Sequence, residues 1–121
     1  VSKVIYPGLM DGEARRRADT YLKGGFGGLV GFELSGGRDA GRAFIDALKL
    51  LYHVANIGDA RSLAIHPAST THSQLEPDEL AATGVSDGYV RLSIGLEHID
   101  DILADLGQAL HGATGMRAAA E

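Results

Sequence analysis

The residue best equipped for chemistry is Arg91, in the run Asp87-Gly88-Tyr89-Val90-Arg91-Leu92-Ser93-Ile94. Apolar and polar positions alternate strictly from Tyr89 to Ile94, which predicts a strand whose successive side chains point to opposite faces. Val90, Leu92 and Ile94 then face a core, while Tyr89, Arg91 and Ser93 share the other side. A guanidinium carried on a strand offers a planar fork matched to a carboxylate or phosphate. An arginine on the solvent side of an amphipathic strand is the competing reading, and the residue alone does not decide between them.

A second polar group lies in Asn56 to Gln74, NIGDARSLAIHPASTTHSQ, where a short strand-like piece, Ser62 to Ile65, runs into a hydroxyl-rich loop broken by Pro67. Loops of this kind at strand ends are where sites tend to be built. Ser69, Thr70 and Thr71 stand beside His72, but catalytic triads are arranged in space, so adjacency settles nothing. A loop tied to its own backbone by Ser and Thr reads equally well.

Other chemistries fall away. The five histidines show none of the spacings that place two imidazoles on one helix face or hairpin, so no metal site is expected. There is no cysteine, which removes disulfides, thiolate ligands and thiol nucleophiles together. Neither glycine cluster, Gly24 to Gly31 or Gly36 to Gly41, has the spacing of a dinucleotide fingerprint or the Gly-Lys-Ser/Thr ending of a phosphate loop. Lys3, Lys23 and Lys49 each read as surface residues, not as a desolvated Schiff-base amine. A formal charge of -5 argues against nucleic acid and anionic membrane as partners. No segment approaches the roughly 20 apolar residues of a membrane span.

The elements that must position these groups follow from periodicity. An extended opening closes at Pro7-Gly8. A first helix is predicted over Asp11 to Lys23, with Ala14, Ala18, Tyr21 and Leu22 as its apolar stripe, and a strand over Leu29 to Leu34 with Val30, Phe32 and Leu34 inward. The clearest helix runs from Arg38 to Tyr52 on the stripe Ala40, Ala43, Phe44, Ala47, Leu48 and Leu51. A short helix over Glu76 to Ala82 and a last one over Glu97 to Leu110 complete the order. The last carries Ile99, Ile102, Leu103, Leu106 and Leu110 inward, with Glu97, Asp100 and Asp101 at the end that favours acids. Past His111 the chain reads as a poorly anchored tail. The sum is an α+β domain over 1–110, with a short, mostly antiparallel sheet and helices packed on one face. The other sheet face is expected to be partly polar, carrying Arg91, Ser93 and Ser62.

Several segments together resemble the C-terminal part of the Cys/Met-metabolism pyridoxal phosphate enzymes of fold type I. They are YPGL from Tyr6, KGGFGGLVGFELSGG from Lys23, FIDALKL from Phe44, NIGDARSLAIHPASTTH from Asn56 and GVSDGYVRLSIGLEHIDDILADL from Gly84. The Asn-Ile-Gly-Asp-Ala-Arg-Ser-Leu form is most similar to the branch that acts on O-acetylhomoserine, other branches carrying a Ser-Leu-Gly-Gly type of segment there. The resemblance implies that Arg91 forks onto the substrate α-carboxylate, that Asn56 helps hold it, that Thr71 lines the same pocket, and that Ser62 is a weaker candidate. It implies pyridoxal 5'-phosphate as cofactor, held by a large N-terminal domain that is not in this chain, so that this chain alone is inactive. It also implies O-acetyl-L-homoserine and sulfide or a thiol as substrates, and a cytoplasmic homotetramer for the whole enzyme. The competing expectations are another γ-replacement or elimination enzyme of the family, and a stand-alone amino-acid-binding domain without catalysis.

Overall fold

A computed structural model describes residues 1–118, the last four by backbone alone. Five strands, β1 (Lys3–Ile5), β2 (Leu29–Glu33), β3 (Tyr52–His53), β4 (Leu63–Ile65) and β5 (Tyr89–Ser93), form one sheet in the order β1-β2-β5-β4-β3. Every pairing is antiparallel except β3 with β4. Four helices accompany it: α1 (Gly12–Tyr21), α2 (Gly37–Ala47), α3 (Pro77–Ala82) and α4 (Ile99–Ala118). Among the described residues no helix is long and apolar enough to cross a membrane.

The alternation in β2 and β5 sets the layers. Phe32, Val90, Leu92 and Ala64 project to one side, where α2 and α4 pack on them and on each other. Phe32 meets Phe44 of α2 edge to face, with ring centroids 5.3 Å apart, the arrangement the ring quadrupoles favour. The register places Gly31, Arg91 and Ile65 in one row across three strands on the opposite side.

Four expectations need correction. The helix read as Arg38 to Tyr52 ends at Ala47, although its apolar stripe continues to Leu51. The buried Asp105 of α4 explains the stop: its carboxylate accepts the N–H groups of Lys49 (2.9 Å), Leu50 (2.8 Å) and Leu51 (3.0 Å), drawing the chain out of the helix and into β3. Leu51 is buried, but from the turn and not from a helix. The last helix begins at Ile99 and runs beyond Leu110 to Ala118, with Ala113 in the core, so residues 111–118 of the stretch read as a loose tail are helical, while 119–121 lie outside the described residues. Its inward line is Ile102, Asp105, Ala109 and Ala113, whereas Ile99 and Leu103 are more than half exposed. In α1 only Ala18 of the predicted stripe is buried; Tyr21 and Leu22 face outward. Finally, Ser62 and Ser93 are buried beneath the Asn56–Ser62 loop, leaving Arg91 and Tyr89 as the polar residues of that face.

A candidate carboxylate-binding groove

Beside Arg91 the sheet carries an open groove of about 420 Å³, lined by Ala55, Ile65, Pro67, Thr71, His72, Val85, Tyr89 and Arg91. Its floor comes from strands, Ile65 of β4 and Tyr89 and Arg91 of β5, and its walls from the loops that follow β3 and β4 and from Val85 in the loop that precedes β5. Gly31 in β2 is what lets Tyr89 lie flat there. A Cβ on Gly31 would come within 2.7 Å of the Tyr89 ring, so the absence of a side chain admits the aromatic.

Arg91 is half-buried, and among the described residues it faces no carboxylate. One of its nitrogens, Nη2, donates to the carbonyl oxygen of Asn56 at 3.3 Å. The rest of the fork is uncommitted at a largely apolar groove, where a charge-assisted bidentate bond to a carboxylate competes with less water than on a fully exposed surface. Thr71 lies at the same groove, its hydroxyl 2.8 Å from Nδ1 of His72. Asn56 is exposed; its side-chain oxygen accepts the N–H of Ile57 at 2.9 Å, and it is the backbone carbonyl that meets Arg91. Arg91, Asn56 and Thr71 are therefore gathered in one place, although 35 residues separate Arg91 from Asn56.

Ser62 is not part of this groove. It is fully buried, its N–H and hydroxyl both donate to the carboxylate of Glu97 at 2.7 Å, and its oxygen accepts the N–H of Gly95 at 2.9 Å. With every polar atom engaged, Ser62 braces the loop and offers nothing to a ligand. Glu97, read from the sequence as a helix-end acid, is the counterpart of that brace. The two Ser62 bonds hold its carboxyl below the usual carboxylate range.

His66, where β4 runs into the 3₁₀ turn Pro67–Ser69, is also structural. Its ring is completely buried, which pushes its pKa down, and the nearby charges of Arg38 and Arg42 act in the same direction. The imidazole is thus neutral, with Nε2–H donating to the Asp87 carbonyl at 2.6 Å and Nδ1 accepting from the Ser69 hydroxyl at 2.8 Å. Asp87 is fixed from its other end by Arg38, 3.1 Å from the carboxylate. This pair of bonds anchors the turn that launches β5, and so sets where Arg91 emerges. The sequence offered a signal in Gly41, one helix turn past Arg38. Any Cβ there would run into the His66 ring.

The family model described as Cys/Met metabolism PLP-dependent enzyme matches residues 1–111. The chain belongs to this family. It is 54% identical over 110 residues to O-acetyl-L-homoserine sulfhydrylase 1 of Thermus thermophilus, covering 91% of this chain and 26% of that protein. It is 58% identical over 84 residues to an L-methionine gamma-lyase of Pseudomonas putida, covering 69% and 21%. A solved Campylobacter jejuni protein, assigned as an O-acetylhomoserine (thiol)-lyase and carrying N'-pyridoxyl-lysine-5'-monophosphate, superimposes with a TM-score of 0.79 at 43% identity over 89% of this chain and 26% of its own. The chain thus spans about a quarter of the length of these relatives.

Proposed function

We propose that this chain is the C-terminal small domain of an O-acetyl-L-homoserine sulfhydrylase and that its task is to hold the α-carboxylate of the amino-acid substrate. The whole enzyme would replace the acetate of O-acetyl-L-homoserine with sulfide or a thiol, giving homocysteine or a thioether. The observation that carries the reading is the free fork of Arg91 at a largely apolar groove, with the Asn56 carbonyl fixing one nitrogen and the Thr71 hydroxyl on the wall. A bidentate anchor on a strand fixes the substrate in position and in rotation, so that the bond to be broken is presented in one orientation. The Thermus sulfhydrylase, with 54% identity over most of this chain, supports the acyl donor; the gamma-lyase match, with higher identity over a shorter stretch, supports only the family's shared carboxylate site.

Pyridoxal phosphate supplies an electron sink for amino-acid chemistry when it is bound. The groove lining has one cation and no lysine, so the residues present suit a substrate carboxylate and do not suit a group that must be joined to a lysine amine. The amine would come from the large domain of the same polypeptide, and the share proposed for this chain is confined to the substrate. The test is donor choice by the full-length protein, with sulfide as acceptor. Homocysteine formed from O-acetyl-L-homoserine much faster than from the succinyl ester supports the sulfhydrylase. Preference for the succinyl ester, or elimination without replacement, moves the protein to another branch.

A further inference from the structure

We infer that Glu97, outside the groove, is a positioning residue of the carboxylate site, holding the Asn56–Ser62 loop at the height where the Asn56 carbonyl meets Arg91. The inference rests on the carboxylate-holding reading above. Both Glu97 oxygens are taken by Ser62, one by its N–H and one by its hydroxyl, each at 2.7 Å. The Ser62 oxygen accepts the Gly95 N–H at 2.9 Å, and the Leu96 N–H donates to the Ala60 carbonyl at 2.8 Å, so the end of the loop is laced to the chain leaving β5. Gly95 is pressed against the same backbone: a Cβ on it would stand 2.5 Å from the Arg61 carbonyl carbon and 2.6 Å from the Ser62 nitrogen.

The other end of the loop is held more loosely. Asn56 accepts from Arg91 at 3.3 Å, and the Gly58 N–H reaches the Ser93 hydroxyl at 3.3 Å. Between these anchors residues 56–61 are exposed and in neither helix nor strand. Such a segment takes its register from its ends, and the Glu97 end is the tighter one. The four interactions follow the chain in order, from Arg91 and Ser93 of β5 to Gly95 and Glu97 just beyond it, so the strand that carries the fork and the segment leaving it also set the loop that meets it. Because both Ser62 groups donate, the brace needs an acceptor on each oxygen of residue 97. Alanine supplies none, whereas glutamine supplies one, and its amide can donate to the rotatable hydroxyl.

The experiment compares Glu97→Ala, Glu97→Gln and Arg91→Lys in the full-length protein, measuring KM for O-acetyl-L-homoserine, kcat, cofactor absorbance and hydrogen exchange of residues 56–62. In Glu97→Ala, KM is expected to rise roughly tenfold as the loop loses register, with cofactor absorbance kept, faster exchange confined to the loop, and most of the effect restored in Glu97→Gln. Faster loop exchange with an unchanged KM would make Glu97 a structural brace alone and overturn the inference. So would a fall in kcat and absorbance equal in the alanine and glutamine variants. If Arg91→Lys also leaves KM unchanged, the carboxylate reading itself has failed; if Arg91→Lys raises KM and Glu97→Ala does not, only the Glu97 inference falls.

Discussion

Replacing Asp105 should be among the most damaging single changes available in this chain. The residue is only 6% exposed, and its carboxylate gathers three consecutive backbone N–H groups, from Lys49, Leu50 and Leu51, together with the Gln108 amide at 2.9 Å. Burial alone would raise its pKa, but the Leu51, Lys49 and Leu50 N–H groups with Gln108 outweigh it and hold the group ionised below its ordinary range. A hydrogen bond to a charged group contributes about 1.5–3 kcal/mol, and a buried donor left without a partner costs about 1–3 kcal/mol. Lys49 and Leu50 are exposed, so water can replace part of what they lose, while the buried Leu51 is left unpaired. Counting Leu51 in full and the others in part gives a loss of about 3–5 kcal/mol for Asp105→Ala, a large share of the roughly 5–15 kcal/mol that holds a domain together. Asp105→Asn keeps the shape, but its single oxygen accepts at most two of the bonds and its NH₂ turns toward a third donor, giving a loss of about 2–3 kcal/mol. Urea unfolding followed by circular dichroism reads this directly, with the alanine midpoint expected to fall by about 2 M. A loss under about 1 kcal/mol in Asp105→Ala would refute the argument that this carboxylate, and not helix propensity, ends α2 and sets the path into β3.

Two further outcomes follow from His66 and its surroundings. Because the folded protein holds His66 below its ordinary value of 6.5, the unfolded chain takes up that proton first, and stability is fully present above about pH 6.5 and lost as pH falls below it. Glu97 and Asp105 are also held low, so their contributions are present above the ordinary values of 4.5 and 3.8 and disappear as pH falls through the folded values, steepening the loss. The urea midpoint should be flat from pH 8 to 7, decline towards 5.5 and drop faster below 4.5. The decline between 7 and 5.5 should vanish in His66→Gln, and a midpoint that rises on acidification would contradict the neutral imidazole. Gly41→Ala, an ordinarily stabilising change in a helix, should instead cost about 1–3 kcal/mol by driving a methyl group into the His66 ring and stretching its bond to Asp87; a neutral or stabilising result in the same urea assay would show that the ring can move aside.

The parts of this molecule that could be read from the sequence are those that short-range periodicity controls. Alternation gave β2 and β5 with the correct residues inward, because a strand that buries one face has no other register available. Arg91 could be singled out because its neighbours place it on a strand, whereas Thr71 is one hydroxyl among several in its loop and only the family resemblance marks it out. What periodicity could not show was where a pattern is overruled by a distant partner. The stripe Ala40 to Leu51 is continuous helix by spacing, and only a carboxylate 54 residues beyond Leu51 interrupts it. The stretch after His111 looks too small to pack, yet small residues are what a helix needs to approach another closely. Ala113 enters the core on that account, one turn past Ala109, and Gly112 lies near Ala47 of α2. Ser62 was readable as a polar residue near a strand, but whether a hydroxyl serves a ligand or a neighbour depends on Glu97, 35 positions away. The groove is half visible for the same reason: its strand residues announce themselves, and its lining from Ala55, Pro67 and Val85 exists only once the loops are brought over the sheet.

Whether the Arg91 fork holds the substrate carboxylate is read from KM for O-acetyl-L-homoserine in Arg91→Lys of the full-length protein, beside the cofactor absorbance of the same sample. Lysine keeps the charge and loses the planar fork, so the loss of one charge-assisted bond predicts a KM raised by roughly 10- to 100-fold with absorbance unchanged. An unchanged KM at full cofactor occupancy would contradict the account and remove Arg91 from the site.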